Sequence, residues 1–284
     1  MTLQKTLTLF CYAGLLWMCP AKATEVERQP ILMETMTGVQ FGLWGNESDR
    51  PSPTLFVLAS SIEATLGDSY YRQSGNALSN LGYLCVTIDI PGHGSQHRSD
   101  EPDGLAGWRY RTDRGEDFVA ETNQRLKEVL DFLIREGYTD PAKVAVCGTS
   151  RGGFLALHFA AFDARVKCVA AFAPVTDLIV LREFFGAEDD QLVSSLSVSA
   201  QADRLAGHPV WIIIGDRDER VGTDNSIALA RRITASALAQ GLPAAVELHV
   251  LPEPRGHTTP VGAPEQAARW IHQQIETEST IPTE

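Results

Sequence analysis

One serine of this chain stands in a pattern that can carry nucleophilic chemistry. Ser150 lies in GTSRGG (148–153), between the apolar run 143–147 and a segment with helical periodicity. G-x-S-x-G in that context is typical of a nucleophile on a strained strand-to-helix turn. Side chains at Gly148 and Gly152 would collide with the neighbouring strand and helix, and the Arg151 N–H would point toward an oxyanion. The alternative is a serine that only caps the helix.

A serine hydroxyl is a weak nucleophile, so it needs a base, and the base needs an acid that orients it. His257 follows the last apolar run and precedes the last helical segment. Asp218 lies in GDRDERV (215–221), after the run 210–214, at the strand end where ligands bind in open parallel sheets. We predict His257 as base and Asp218 as acid, with Asp177 and Asp216 as alternative acids.

Short apolar runs alternate with longer helical patterns along the middle of the chain, and this alternation predicts how the three groups are positioned. Such unbroken, β-branched runs are typical of strands buried on both faces. The predicted central strands are 54–59, 83–90, 143–147, Val166–Phe172, 210–214 and Val246–Leu251. The predicted helices are 69–81, 115–136, Arg151–Phe162, 224–240 and 264–277.

The fold class predicted from this alternation is α/β, with a mostly parallel, doubly wound sheet and helices on both faces. Two further strands, near 31–36 and 39–43, bring the sheet to about eight strands. Residues 177–206 interrupt the alternation with LIVLREFF (178–185), an acidic patch and a serine-rich stretch. This segment predicts a short lid-like excursion after the sixth strand, or else a crossover helix with a loop.

Composition limits the classes of partner and cofactor. The 284 residues carry a formal net charge of −12, which disfavours nucleic acid and anionic membrane surfaces as partners. Cys85, Cys147 and Cys168 lie inside apolar runs, which predicts buried thiols. Neither a C-x-x-C pair nor a zinc-ligand spacing is present, so no metal or organic cofactor is predicted. Oligomeric state is left open.

The N-terminal segment has the pattern of a secretory signal peptide. Lys5 precedes the apolar run LFCYAGLLWMC (9–19), and AKA (21–23) places small residues before a cleavage site after Ala23. We therefore predict a signal peptide over 1–23, one domain over 24–284, a secreted or periplasmic protein and no membrane span after cleavage. A buried N-terminal helix or a membrane anchor is the alternative.

The ordered serine, aspartate and histidine, with GTSRGG, GDRDERV and RGH (255–257), resemble the α/β-hydrolase superfamily over roughly residues 30–277. Within it they are similar to the prolyl-oligopeptidase and dienelactone-hydrolase branches. The resemblance implies that a second oxyanion N–H follows the first central strand. That run is LASSIE (58–63) here, without the usual glycines, so the resemblance favours Ser61, with Ser60 as the alternative donor.

Residues near the predicted site mouth could contact a substrate. GWRYR (107–111) interleaves arginines with aromatics, so Trp108, Arg109 and Arg111 could bind a carboxylate or a sugar, although a surface loop with stacked cations explains them equally well. Phe185 could line an acyl pocket or belong to the lid core. His93 is interpreted as a hydrogen-bonded turn residue.

Three functions follow from these residues. The first is hydrolysis of a carboxylic ester through an acyl-enzyme, acting on a small-molecule ester. The second is a small exported serine peptidase acting on a short peptide, with Glu63 as a candidate anchor for the substrate amine. The third is a catalytically inactive hydrolase fold that binds a ligand.

Overall fold

A computed structural model describes residues 30–45 and 51–278, and the predicted signal peptide lies outside these ranges. Within them the chain forms one eight-stranded sheet in the order β1-β2-β4-β3-β5-β6-β7-β8. β1 and β2 are antiparallel to their neighbours and the other strands are parallel, which confirms the predicted fold class. The strands are β1 (Ile31–Glu34), β2 (Gln40–Gly45), β3 (Ser52–Leu58), β4 (Leu84–Thr87), β5 (Thr139–Thr149), β6 (Val166–Phe172), β7 (Val210–Gly215) and β8 (Val246–Leu251).

The side-chain pattern of each strand follows from its place in the sheet. β7 lies between two neighbours, has helices on both faces, and buries all six of its residues, VWIIIG. β8 is the edge strand, and its residues VELHVL are half-buried or exposed. Because the central strands need apolar side chains on both faces, their sequences are the unbroken apolar runs from which the sheet was predicted.

Helices cover both faces of the sheet, as predicted. On one face α5, α6 and α9 pack on the larger buried cluster, and on the other α3 and α10 pack on the smaller one. The helices are α1 (Ile62–Gly67), α2 (Ser69–Arg72), α3 (Gly75–Ser79), α4 (Leu105–Thr112), α5 (Phe118–Arg135), α6 (Arg151–Phe162), α7 (Gln191–Ser195), α8 (Ala202–Leu205), α9 (Thr223–Ala239) and α10 (Ala263–Glu278).

α5 shows how the sequence sets a helix against the sheet. Asp117 caps its N-terminus by accepting a hydrogen bond from the Ala120 N–H at 2.8 Å. Leu126, Val129 and Leu133 recur at helical spacing and are fully buried, each contributing roughly 1.5–3 kcal/mol of hydrophobic stabilisation. Because α5 packs on α6, this burial supports the helix that begins directly after Ser150.

Two local predictions are corrected. The helix predicted over 69–81 is divided into α2 and α3, because Gln73 adopts a positive φ of 47° and ends the first of them. Residues 107–111, for which a surface loop was one of two interpretations, instead belong to helix α4. No helix in the described parts of the chain, 30–45 and 51–278, has the length and apolarity to cross a membrane.

The segment after the sixth strand contains only short helical elements. Two 3-10 turns, Leu178–Val180 and Arg182–Phe184, precede α7, and a third, Val198–Gln201, joins α7 to α8. The apolar side chains of Leu178, Phe184 and Val193 are fully buried in the larger core cluster. The excursion predicted over 177–206 is therefore packed onto the domain through its apolar residues.

Candidate active site

The turn that carries Ser150 is held in a strained conformation by its neighbours. Ser150 has φ 54° and ψ −114°, a region that side-chain-bearing residues avoid at a cost of roughly 1–3 kcal/mol. Its N–H donates to the Phe172 carbonyl at 2.8 Å, and its own carbonyl accepts from the Val175 N–H at 3.1 Å. These bonds, one to the last residue of β6 and one to the loop after it, fix the turn and hold Ser150 at the carboxyl edge of the sheet.

The glycines on either side of Ser150 are required by close backbone approach. A Cβ on Gly148 would stand 2.2 Å from the Gly152 carbonyl oxygen, in the first turn of α6. A Cβ on Gly152 would stand 1.9 Å from the carbonyl oxygen of Leu58, at the end of β3. A side chain at either position would therefore collide with the neighbouring strand or helix, as the motif predicts.

Three side chains from distant parts of the sequence meet at this edge. His257 Nε2 lies 2.9 Å from Ser150 Oγ, and His257 Nδ1 lies 2.8 Å from Asp218 Oδ2. A carboxylate only accepts, so Nδ1 carries the proton and Nε2 is free to accept from the serine hydroxyl. The arrangement can move a proton from the hydroxyl to the imidazole while the carboxylate holds the ring.

Asp218 is fixed by the loop after β7. Its side chain is fully buried, and Oδ1 accepts the N–H groups of Arg220 at 3.1 Å and Val221 at 3.2 Å. The alternative acids have other partners. Asp216 Oδ1 accepts the Glu253 N–H at 2.9 Å, and Asp177 caps the N–H of Ile179. Of the three candidate acids, Asp218 is the one in contact with His257.

The loop that carries His257 is stiffened by charge pairing. Glu253 accepts hydrogen bonds from Arg255 Nε at 2.7 Å and Nη2 at 2.6 Å, and the Arg255 guanidinium lowers the pKa of Glu253 to about 2. Gly256 supplies a positive φ of 76° directly before the histidine. The histidine side chain is 28% exposed, so a substrate can reach the ring.

A cavity of about 190 Å³ opens directly at Ser150. The rings of Tyr70 and Tyr71 line it and stand edge to face, with centroids 5.3 Å apart. Sequence reasoning missed both tyrosines, because the pattern SYYR (69–72) was interpreted only as part of a helix. Their position shortly after the first central strand was the available signal, since such segments form the rim of the sheet.

A second cavity, of about 670 Å³, lies beside the first and shares Arg151 with it. Most of its lining is polar or charged. The lining residues are Ser61, Gly92, His93, Gly94, His97, Asp103, Gly104, Leu105, Arg151, Arg182, Glu183 and Arg220. Burial lowers the pKa of His93, whose Nδ1 lies 3.0 Å from the Pro91 carbonyl, consistent with the predicted turn role.

Of the two predicted oxyanion donors, Arg151 directly follows the serine and Ser61 lines the larger cavity beside it. Within residues 30–45 and 51–278, neither the Arg151 N–H nor the Ser61 N–H is hydrogen-bonded to an acceptor. The Arg151 N–H is in the first turn of α6, where no helical carbonyl can reach it. Ser61 Oγ caps α1 by accepting from the Ala64 N–H at 3.1 Å.

Known proteins share this sequence pattern and this fold. The family model described as the prolyl oligopeptidase family matches residues 70–276, most of the chain. The chain belongs to the prolyl oligopeptidase family. This confirms the resemblance to α/β-hydrolases of that branch.

The relatives of this prolyl oligopeptidase family member include both peptidases and esterases. It is 31% identical to the hydrolyase poxO of Penicillium oxalicum over 45% of this chain and 28% of that protein. Dipeptidyl peptidase 4 of Porphyromonas gingivalis matches with 15% identity and a TM-score of 0.59, over 86% of this chain and 35% of the other. An esterase of Pyrococcus furiosus matches with 18% identity and a TM-score of 0.60, over 87% of this chain and 91% of the esterase. The chain spans half or less of the length of the curated relatives it matches.

Two residues predicted to contact substrate are buried in this prolyl oligopeptidase family member, so those predictions are wrong. Trp108 is fully buried, donates from Nε1 to the Pro91 carbonyl at 2.7 Å, and packs on the ring of Phe118. Arg111 is equally buried and forms a double hydrogen bond with Glu101. Both were misread because 107–111 is a helix, in which residues three apart lie on the same face, and this face is turned toward the core.

Arg109 and Phe185 contact each other outside the two cavities. Arg109 pairs with Asp113 at 2.6 Å, and its Nη1 donates to the Phe185 carbonyl at 3.1 Å. The Phe185 ring is 86% exposed, whereas neighbouring Phe184 is fully buried. Phe185 therefore neither belongs to the core of the 177–206 segment nor lines the cavities at Ser150.

Proposed function

We propose that this chain is a serine hydrolase that cleaves a carboxylic ester through an acyl-enzyme. The observation that carries the proposal is the continuous hydrogen-bonded series from Ser150 Oγ through His257 to Asp218 Oδ2. It is supported by membership of a hydrolase family and by the likeness of the fold to esterases.

In the proposed reaction Ser150 Oγ attacks the acyl carbon while His257 Nε2 takes the hydroxyl proton. The C–O bond to the leaving alcohol then breaks, and the same imidazole returns the proton to the departing oxygen. Water next attacks the acyl-enzyme, with His257 again as base, and releases the acid and free serine. Asp218 holds the ring in position and stabilises its cationic form.

The developing oxyanion needs hydrogen-bond donors that are in place before the reaction. We assign this role to the N–H of Arg151 and, as the second donor, to the N–H of Ser61. Both groups lack another acceptor among the described residues, which supports the assignment. The Arg151 N–H also lies at the N-terminus of α6, where the helix dipole favours negative charge.

The cavities favour an ester over an aminopeptidase substrate. Glu63, the predicted anchor for a substrate amine, is exposed on α1 and lines neither cavity. Glu183 lines the larger cavity, but both of its oxygens accept from Arg220 Nη2 at 2.8 Å. A carboxylate already paired with a guanidinium is a poor anchor for an ammonium group. The intact hydrogen-bonded series also favours an enzyme over an inactive binding scaffold.

Turnover of 4-nitrophenyl acetate tests the proposal. We expect the purified protein to release 4-nitrophenolate, and Ser150→Ala to abolish this release because the nucleophile is gone. Ser195→Ala, at an exposed position on α7, is the matched control and should hydrolyse at the wild-type rate. A fluorophosphonate probe should label the peptide containing residue 150. Equal turnover by wild type and Ser150→Ala would refute the proposal.

We also propose that the chain is exported and that its signal peptide is cleaved between Ala23 and Thr24. The supporting pattern is the charged, apolar and small-residue order of residues 1–23. Mass spectrometry of the protein from the extracellular or periplasmic fraction should give Thr24 as the first residue. An uncleaved N-terminus in the cytoplasmic fraction would contradict export.

A further inference from the structure

The larger cavity beside Ser150 contains an arginine whose charge is not paired. Arg151, Arg182 and Arg220 all line it. Glu183 pairs with two of them, accepting from Arg220 Nη2 at 2.8 Å and lying 3.4 Å from Arg182 Nε. Within the described residues, no carboxylate lies within ion-pairing distance of the Arg151 guanidinium. Its one hydrogen bond there runs from Nε to the Ala59 carbonyl, at 3.2 Å.

The hydrogen bond to the Ala59 carbonyl fixes the orientation of the Arg151 guanidinium. Nε is occupied by a backbone carbonyl at the end of β3, so the side chain is held against the wall that separates the two cavities. Both Nη groups then keep their donors for another acceptor, in the planar arrangement that suits a carboxylate. Arg151 is half-buried, so an anion bound there is only partly screened by solvent.

Other charges around the cavity do not neutralise Arg151. Burial lowers the pKa of the Arg151 guanidinium; Tyr71 acts against this effect, and the positive charge of Arg220 adds to it. Asp103 lines the mouth, but its side chain is 96% exposed and stands 3.1 Å from His97. His93 has its Nδ1 on the Pro91 carbonyl. The cavity therefore has a positive wall on the side next to Ser150.

We propose that this cavity binds an anionic group of the substrate, a carboxylate, and that the Arg151 guanidinium is its main contact. The natural substrate is then an ester that carries a free acid. This inference rests on the proposed function, because it places the acid next to an ester carbonyl held at Ser150. It moves carboxylate recognition from the predicted Arg109 and Arg111 to Arg151.

Pairs of substrates that differ only in charge test the inference, and two pairs show which side of the ester carries the acid. For the acyl side, mono-4-nitrophenyl glutarate is compared with 4-nitrophenyl pentanoate, which has a terminal methyl in place of the carboxylate. For the alcohol side, 4-acetoxybenzoate is compared with 4-acetoxybenzamide. In at least one pair we expect kcat/KM for the charged member to be about tenfold higher or more.

Arg151→Met should remove that preference, because it deletes the guanidinium but keeps the Arg151 backbone N–H. The expected result is a loss of about tenfold or more in kcat/KM for the charged ester relative to its neutral partner. Arg114→Met is the control: it removes the same charge from an exposed site over the Tyr110 ring, outside the cavity. The preference should survive in this variant and weaken with added NaCl in the wild type.

The outcomes separate the two proposals. Hydrolysis of the neutral esters with no preference for either charged member would overturn the carboxylate site and leave the serine hydrolase standing. A preference that survives in Arg151→Met would also overturn it. No Ser150-dependent hydrolysis of any of the four esters would overturn the proposed function, and the carboxylate site with it.

Discussion

The α-carbon of Gly152 faces the carbonyl oxygen of Leu58 so closely that a Cβ there would stand 1.9 Å from it. Gly152 lies in the first turn of α6, and Leu58 is the last residue of β3. The loop after β3 carries Ser61, and the turn before α6 carries Ser150. This backbone contact therefore joins the turn that carries the predicted nucleophile to the strand end that leads into the second predicted oxyanion donor.

Gly152→Ala should damage both stability and activity. A methyl group at this position has to push apart two backbones that are each fixed by the sheet, because the obstructing atom is a carbonyl oxygen and not a flexible side chain. We expect a loss of about 3 kcal/mol in the free energy of unfolding. Chemical denaturation measures it, and the residual rate with 4-nitrophenyl acetate reports the displaced oxyanion donors.

Gly67→Ala is the control for that substitution. Gly67 ends α1, and a Cβ there meets no heavy atom within 4 Å. Alanine is the better helix former, so the free energy of unfolding should stay the same or rise by up to about 1 kcal/mol. If Gly152→Ala is as stable and active as Gly67→Ala, the contact does not constrain the site.

Asp218→Asn should lower kcat with little change in KM. An amide nitrogen facing His257 Nδ1 can donate there, which favours the tautomer with the proton on Nε2, and that tautomer cannot accept from Ser150. The expected loss in kcat is about 10³- to 10⁴-fold. Asp216→Asn is the control, because its Oδ1 can still accept the Glu253 N–H. Equal kcat values for the two variants would rule out Asp218 as the orienting acid.

Much of the sheet could be predicted because its buried strands need apolar residues on both faces. Val166–Phe172 and Val246–Leu251 match the observed strands residue for residue, and Arg151–Phe162 matches the observed helix. The order of the strands could not be found this way. It depends on which edges pair through space, for example β3 with β5, and no local pattern records that pairing.

The site residues also fall into two groups, those that a local sequence pattern predicts and those that depend on packing through space. Ser150, Asp218 and His257 could be proposed because each follows a recognisable strand, and the parallel sheet brings those ends together. The unpaired guanidinium of Arg151 could not be predicted, because the absence of an acidic partner depends on packing. Tyr70 and Tyr71 could have been placed at the rim of the sheet from their position after the first central strand, but not in the cavity at Ser150. Trp108 and Arg111 were mispredicted for the same reason. Their aromatic and cationic side chains favoured a surface role, but both lie on the face of α4 that packs against the core.

The buried pair of Arg111 and Glu101 should make a large contribution when only one partner is removed. Glu101 accepts from Arg111 Nε and Nη2, both at 2.8 Å, and neither side chain is exposed by more than 1%. Glu101→Gln leaves the buried guanidinium with only the exposed Glu121 carboxylate, 4.0 Å from Nη1, as a counter-charge, so unfolding should need about 3 kcal/mol less. Urea denaturation measures the change.

Two variants make that prediction specific. Glu116→Gln removes a half-exposed partner of Arg98 and should cost less than about 1 kcal/mol. The double variant Glu101→Met with Arg111→Met removes both charges and should be more stable than Glu101→Gln alone. A double variant that is less stable than Glu101→Gln would contradict the account of a poorly compensated buried charge.

His158 lies on α6, two turns after Ser150, and ties this helix to the segment after the sixth strand. Its Nε2 donates to the Leu196 carbonyl at 3.0 Å, and its ring stands edge to face on Phe154. Burial lowers the pKa of His158 from 6.5 to about 4, against the opposing effects of the Leu196 carbonyl and the Asp117 carboxylate. The folded protein therefore keeps this imidazole neutral at pH values where the unfolded chain protonates it.

Stability should consequently fall as the pH is lowered through this window. Between pH 6.5 and about 4 the His158 imidazole is protonated in the unfolded state but stays neutral in the folded state. Because protonation stabilises only the unfolded state, it lowers the free energy of unfolding by up to about 3 kcal/mol. Below about pH 4 its contribution stops changing, because both states are protonated. His158→Gln keeps a donor for the Leu196 carbonyl but cannot titrate, so its urea midpoint should depend less on pH in this window than that of the wild type. Parallel pH profiles for the two proteins would show that His158 is not buried in its neutral form.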